Sequence, residues 1–106
     1  MRTRFDKPLR PLTELDAQGH LGVFELADEN GQVLFIGYAG GKSLFGLKGE
    51  IQAASKRLSA ATHFRYEINT AYWTRYQELL MLHKADHGEL PAAVEFTGKL
   101  GRLSPG

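Results

Sequence analysis

The stretch FIGYAGGKS, residues 35–43, carries the residue types of a phosphate-binding loop, because its glycines are followed by a lysine and a serine. Such a loop surrounds the phosphates with backbone amides, and this geometry requires four residues between the first glycine and the Gly-Lys pair. Here Gly37 and Gly41 enclose three residues, so the loop is one residue too short. We therefore exclude an ATP-binding loop and interpret Gly40 and Gly41 as a turn between a strand and a helix, with Lys42 solvated.

Four basic side chains lie in this turn and in the helix predicted after it: Lys42, Lys48, Lys56 and Arg57. Such a group can contact phosphate through its charge. The alternative is a solvated helix face, which we favour because Glu50 lies among the bases.

A second helix, predicted further along the chain, carries groups that can bind a metal. Glu78 lies in a largely uncharged sector of this helix, and carboxylate oxygen is a ligand that Mg²⁺ prefers. The alternative is a surface pair with Arg75, three residues earlier on the same face. His83 and His87 have the spacing that places two imidazoles on one helix face, but no Glu-x-x-His frame surrounds them. We interpret both histidines as structural or exposed.

The composition is that of a single soluble domain. The chain has 106 residues, of which 42% are hydrophobic and 24% charged. Its net charge of +1 provides no bulk attraction for nucleic acid, and the absence of cysteine excludes disulfides, thiolate zinc sites and a cysteine nucleophile. No apolar stretch is long enough to cross a bilayer, so we expect a cytoplasmic protein without membrane contact.

Hydrophobic spacing predicts the elements that must position these residues. Asn30 and Gly31 provide the turn of a β-hairpin, and a strictly alternating segment predicts a third strand. Thr70 is the predicted N-cap of the second helix, and Gly88 ends it. The expected order is strand 21–28, strand 32–38, a first helix, strand 62–69 and a second helix at 71–88. The first helix has one apolar face with Leu47, Ile51, Ala54 and Leu58. The core face of the second helix carries Trp73, Tyr76, Leu79, Leu80 and His83.

This order predicts an α+β fold, with a small three-stranded antiparallel sheet flanked by helices. The apolar strand 32–38 is expected to be central, and the third strand to have one wet face with His63, Arg65 and Glu67. We divide the chain into an extended lead-in at 1–20, a core domain at 21–88, and a tail at 89–106 that packs on the core or frays.

The hairpin resembles that of the GIY-YIG nuclease superfamily, since GVF stands at 22–24 and FIG at 35–37. The resemblance covers about residues 21–88, within the boundary error of such an assignment. It implies a three-stranded antiparallel sheet with helices, a motif tyrosine on each of the first two strands, an arginine on the first helix and a metal-binding glutamate on a later helix. The ligand it implies is DNA or another phosphodiester, and the cofactor is Mg²⁺.

Carried over to this chain, the two motif tyrosines fall on Phe24 and Phe35, which have no hydroxyl to exchange a proton. Tyr38, next to the second motif, is the best replacement hydroxyl, and Tyr66 is another candidate. The resemblance therefore predicts a nuclease-like domain whose metal-dependent phosphodiester cleavage is weakened or lost.

The charged positions of the family fall on two other residues. Glu78 occupies the position of the metal-binding glutamate, so Mg²⁺ would bind there. Lys48 is the nearest basic residue to the helical arginine and would offset the phosphate charge, without the planar fork of an arginine. The alternative, favoured by the low net charge and the missing hydroxyls, is a non-catalytic module that keeps the fold and binds a protein partner.

Overall fold

The computed structural model describes residue 5 and residues 7–94. The described chain forms an antiparallel sheet of four strands in the order β1-β4-β2-β3, with two helices. The strands are β1 (Arg10–Pro11), β2 (Gly22–Ala27), β3 (Val33–Ala39) and β4 (His63–Ile68), and the helices are α1 (Gly46–Arg57) and α2 (Tyr72–His87). The predicted α+β class is confirmed, and the short strand β1 adds a fourth strand to the three that were expected.

The two helices cover opposite faces of the sheet. Phe24 of β2 faces the same side as its cross-strand partners Gly37 and Tyr66, and α1 packs on this side. Val23, one residue earlier, faces the other side, where α2 packs. Strand β2 is buried along its whole length because both of its faces are covered.

The strand predicted to be central, β3, is an edge strand of the sheet. Its apolar run has the expected cause, cover on both faces, since α1 and α2 contact it from opposite sides. The expectation of a central strand was nevertheless wrong. The two central strands are β2, which is fully buried, and its neighbour β4, in which Phe64 alone is buried.

The alternation predicted for β4 is confirmed, but its polar face is not left to water. Helix α2 packs mainly on β3 and β2, and its Arg75 reaches the polar face of β4, where the Phe5 ring also lies 5.2 Å from the Arg65 guanidinium. The charges of the strand are paired there. Arg65 donates from Nε to Oε1 of the buried Glu25 at 2.7 Å, and Arg75 of α2 donates to Glu67 at 3.0 Å. The face holds charge because each buried ion has an opposite partner.

The predicted end of α2 is confirmed, whereas its predicted N-cap is not. Gly88 ends α2 at a φ of 81°, as predicted. Thr70 does not cap its start; instead, Oδ1 of Asn69 accepts a hydrogen bond from the amide of Ala71 at 2.8 Å. Helix α1 buries Leu47, Ile51 and Ala54, the stripe expected from the sequence.

The lead-in and the first part of the tail pack on the domain. The lead-in contains β1 and a single helical turn at Leu12–Glu14. In the tail, the amide of Ala93 donates to the carbonyl of Leu34 at 3.0 Å. The rest of the predicted tail, 95–106, lies outside the described residues. In the described part of the chain, neither helix has the length and apolarity needed to cross a membrane.

Candidate functional site

A cavity of about 730 Å³ opens beside the edge strand β3, and we call it the edge groove. Residues from both faces of the sheet line it, because the groove passes around the free edge of β3 where the chain turns into α1. Its walls include Phe24, Phe35, Tyr38, Lys42, Glu50, Arg57, Tyr72, Trp73 and Tyr76. The residues thus come from β2, β3, the start of α2, the outer side of α1 and the connecting turn.

The floor of the edge groove is a pair of phenylalanine rings packed over a glycine. The centroids of Phe24 and Phe35 lie 5.8 Å apart, with the rings tilted by 41°. A Cβ atom on Gly37 would lie 2.6 Å from Cζ of Phe24 and 2.7 Å from Cε2 of Phe35. Only glycine at position 37 therefore allows both rings to lie this close to the backbone of β3.

One wall of the edge groove is a cluster of four aromatic rings centred on Tyr38. The Tyr38 ring stacks on Tyr72 with a centroid distance of 5.7 Å, and Trp73 meets it edge to face at 5.4 Å. Tyr76 lies 4.9 Å from it, and burial raises the pKa of the Tyr76 hydroxyl above its usual range. The rings therefore hold Tyr38 in one position.

Two rings of this cluster remain accessible. Tyr38 is 37% exposed and Trp73 is 45% exposed. The sequence pattern placed Trp73 and His83 in the core together with Tyr76, Leu79 and Leu80, and this prediction holds for the last three, whereas Trp73 is exposed and His83 is half-buried. Trp73 instead presents a large aromatic surface beside the groove.

The glycine loop, Gly40–Ser43, closes one end of the edge groove, and its amides are engaged within the protein. The amide of Gly40 donates to Oγ of Ser43 at 3.1 Å, and the amide of Gly41 donates to the hydroxyl of Tyr72 at 3.2 Å. These amides do not form the nest that a phosphate-binding loop requires. Phosphate contact at this site therefore depends on side-chain cations.

The charged side chains of the edge groove are two cations and one carboxylate. Lys42 is exposed on the glycine loop, and Arg57 lies at the end of α1 with its guanidinium 5.9 Å from the centre of the Phe35 ring. Glu50 is the carboxylate among the lining residues. Two positive charges against one negative charge favour an anionic ligand near the cations.

The residues singled out in the sequence divide into two sets. Phe24, Phe35 and Tyr38 come together in the edge groove, whereas Lys48 and Glu78 do not line it. Lys48 is exposed on α1, one residue after the buried Leu47. The cation that α1 brings to the groove is Arg57, a residue that the resemblance left without a role.

Glu78 lies on α2, over the face of the sheet opposite to Phe24 and Phe35. Its Oε1 accepts a hydrogen bond from Arg75 at 3.3 Å, which is the ion pair given above as the alternative to metal binding. Arg75 also binds Glu67 at 3.0 Å, so its guanidinium lies against both carboxylates, and this arrangement does not fit Mg²⁺, which needs several oxygen donors. We derive no metal-dependent step from Glu78.

Other candidate donors do not complete a metal site. The rings of His83 and His87 lie 4.3 Å apart, and Nδ1 of His83 lies 3.0 Å from the carbonyl oxygen of Glu89. Within the part of the chain that the structure describes, no group of three or more His, Cys, Asp or Glu residues is placed to hold a metal ion. Tyr66 donates its hydroxyl to Asp16 at 3.2 Å, outside the edge groove.

The buried charge of Glu25 was missed by the sequence reasoning. Burial raises the pKa of this carboxyl, and the adjacent Arg65 opposes the increase. The sequence does carry a signal for this residue, since Glu25 is the one charged residue in an otherwise apolar strand, GVFELA. Its partner lies across the sheet and far along the chain, so we assign the pair to the fold rather than to the groove.

A family model described as a domain of unknown function (DUF7508) matches residues 4–86. The matched range includes every lining residue of the edge groove named above. No curated protein and no solved structure matches the chain.

Proposed function

The chain belongs to the DUF7508 family, whose function is unknown. For this member we propose a cytoplasmic, GIY-YIG-like domain that binds nucleic acid in the edge groove. Metal-dependent cleavage of the phosphodiester is weakened or lost in this proposal. One observation carries it: exposed aromatic rings and two cations line the same groove, between the strand that bears GVF and the turn that follows FIG.

The lining of the edge groove suits the two parts of a nucleotide. Lys42 and Arg57 offer positive charge to phosphate, and Arg57 adds the planar fork that Lys48 would lack. Tyr38 and Trp73 offer aromatic surface to a base, which can stack on any ring regardless of sequence. The low net charge of the chain is compatible with this site, because the cations act locally.

The same geometry supports weak or absent cleavage. Phe24 is 1% exposed and presents only hydrocarbon where the family has a hydroxyl, and Phe35 lacks the hydroxyl as well. Glu78, the proposed metal ligand, pairs with Arg75 away from the groove. Tyr38 remains the replacement hydroxyl, but it lies among aromatic rings rather than beside a base that would accept its proton.

A module that binds a protein partner is the second candidate. Leu44 and Phe45 follow the glycine loop and are 89% and 72% exposed. Adjacent apolar side chains of this exposure suit a protein contact. This candidate predicts affinity that is insensitive to salt and independent of Arg57.

The proposal is tested by DNA affinity as a function of salt. The probe is a fluorescent duplex with a single-stranded overhang, so that either form of DNA can bind. Two phosphate contacts predict a slope of log K against log salt of about −1.4 to −1.8. Arg57→Ala should make this slope shallower by about 0.7 to 0.9. The matched control is Lys56→Ala, which removes an exposed cation that does not line the groove and should leave the slope unchanged.

Two results would contradict the proposal. Absence of binding at low salt removes the nucleic-acid function and favours the protein-interaction module. Rapid, multiple-turnover nicking of a supercoiled plasmid in Mg²⁺ contradicts weakened or lost cleavage, and its loss in Glu78→Ala would then identify the carboxylate responsible.

A further inference from the structure

We infer that the edge groove binds single-stranded nucleic acid, with one unpaired base stacked on Trp73 and touching Tyr38 only with its edge, since these two rings are 77° apart, and with the adjoining phosphates at Lys42 and Arg57. This inference rests on the proposed function and specifies its ligand. Bases inside a duplex stack on each other, so their faces are not available to an aromatic side chain. A groove that offers aromatic rings is therefore suited to an unpaired base.

The exposed aromatic surface is the first argument. Trp73 is 45% exposed and Tyr38 is 37% exposed, although each contacts other rings of the cluster. The accessible parts of both rings lie beside one cavity, which can take a planar group against them. Its volume of about 730 Å³ is that of a site for one small molecule or a single nucleotide unit.

The rigidity of the rings is the second argument. The Trp73 ring is held by two neighbours, since it meets Tyr38 edge to face at 5.4 Å and its centroid lies 5.6 Å from that of Tyr76. A ring already held in place loses little conformational freedom when a base stacks against it. The aromatic wall is thus preorganised for a flat ligand.

The third argument is that one residue connects the aromatic wall to the cationic loop. Tyr72 stacks on Tyr38 and accepts the amide hydrogen of Gly41 at 3.2 Å. A Cβ atom on Gly40 would lie 2.7 Å from Cε1 of Tyr72, so the loop packs directly on this ring. Lys42, in the same loop, is therefore held in a defined relation to the base-binding surface, as a nucleotide requires.

The experiment uses the fluorescence of Trp73, the one tryptophan in the chain. An unlabelled thymidine 12-mer and a duplex of the same length are titrated into the full chain at low salt. The single strand should quench the tryptophan emission and bind at least about tenfold more tightly than the duplex.

Two variants test whether the ring is the cause. Trp73→Leu should weaken the single strand, followed by anisotropy of a labelled 12-mer, by about 5- to 150-fold, the range for loss of one stacked base. Phe45→Leu removes an aromatic ring that is 72% exposed and does not line the groove, and it should leave the affinity unchanged. Circular dichroism checks that each variant is folded. The quenching measurement uses the unmodified chain, so it tests the inference even if a variant fails to fold.

The outcomes separate this inference from the proposed function. Equal affinity for duplex and single strand, with Trp73 emission unchanged, overturns the inference and leaves nucleic-acid binding in place. Failure of both ligands to bind at low salt overturns the proposed function and the inference with it. Preferential binding of the single strand, lost in Trp73→Leu and kept in Phe45→Leu, supports both.

Discussion

Replacing Gly37 with alanine should destabilise the protein, because two phenylalanine rings occupy the space that the new methyl group needs. The added Cβ would lie 2.6 Å and 2.8 Å from Cζ and Cε1 of Phe24, and 2.7 Å from Cε2 of Phe35. Real Cβ atoms do not approach this closely, so something must move. The Phe24 ring is 1% exposed and packs in the core, and it cannot turn into solvent.

The magnitude follows from two opposing effects. Inserting a methyl group into a packed core costs about 1–3 kcal/mol in the free energy of unfolding. Alanine also reduces the conformational freedom of the unfolded chain, which returns about 0.4–1 kcal/mol. The difference between these ranges is about 0 to 2.6 kcal/mol, and its middle value of about 1.3 kcal/mol lowers Tm by roughly 5 to 10 °C for a domain of this size.

The assay is urea and thermal unfolding followed by circular dichroism. Gly41→Ala is the matched control, because no atom lies within 4 Å of its added Cβ. This control should be neutral or stabilised by up to about 1 kcal/mol. In a Phe24→Leu background, which removes the ring in contact, Gly37→Ala should cost less than in the unmodified chain.

Two results would refute this reasoning. The first is a Gly37→Ala protein that unfolds at the same urea concentration and temperature as the unmodified chain. The second is an equal cost in the Phe24→Leu background, which would show that the ring contact is not the cause.

Two further predictions concern carboxylates. Burial raises the pKa of Glu25 above its ordinary value of 4.5. The protonated carboxyl therefore contributes stability to the folded state that is fully present below pH 4.5. This contribution is lost as the pH rises through the raised pKa. Glu25→Gln should therefore gain stability relative to the unmodified chain between pH 4 and 7, and a pH-independent difference in Tm would contradict this. Glu50→Gln removes the groove's carboxylate and should tighten DNA binding by about 1.4- to 5-fold at low salt. Unchanged affinity would place Glu50 away from the phosphates.

Much of the secondary structure could be predicted from the sequence, because its causes are local. Asn30 and Gly31 form a turn that brings β2 and β3 together, and Gly88 ends α2 in the left-handed conformation. The spacing of Leu47 and Ile51 correctly predicted the buried side of α1. Each prediction depends on backbone preferences or periodicity within a few residues.

The position of β3 at the sheet edge was not predictable by the same reasoning. A continuous apolar run is produced equally by a central strand and by an edge strand with a helix on each face. The polar face of β4 presented a similar ambiguity, because alternating charges look solvated until a helix with Arg75 packs over them. The order of strands resolves the first case, and the packing of Arg75 against Glu67 resolves the second.

The sequence by itself determined the hairpin, the helices, the glycine at position 37 and the residue types available for a ligand. Tertiary structure decided which of those residues meet. It brought Arg57 and Trp73 to the rings of the motif strands and placed Glu78 on the opposite face, beside Arg75. The physical reason is that a helix can cover either face of a sheet, and this choice depends on packing between segments far apart in the chain.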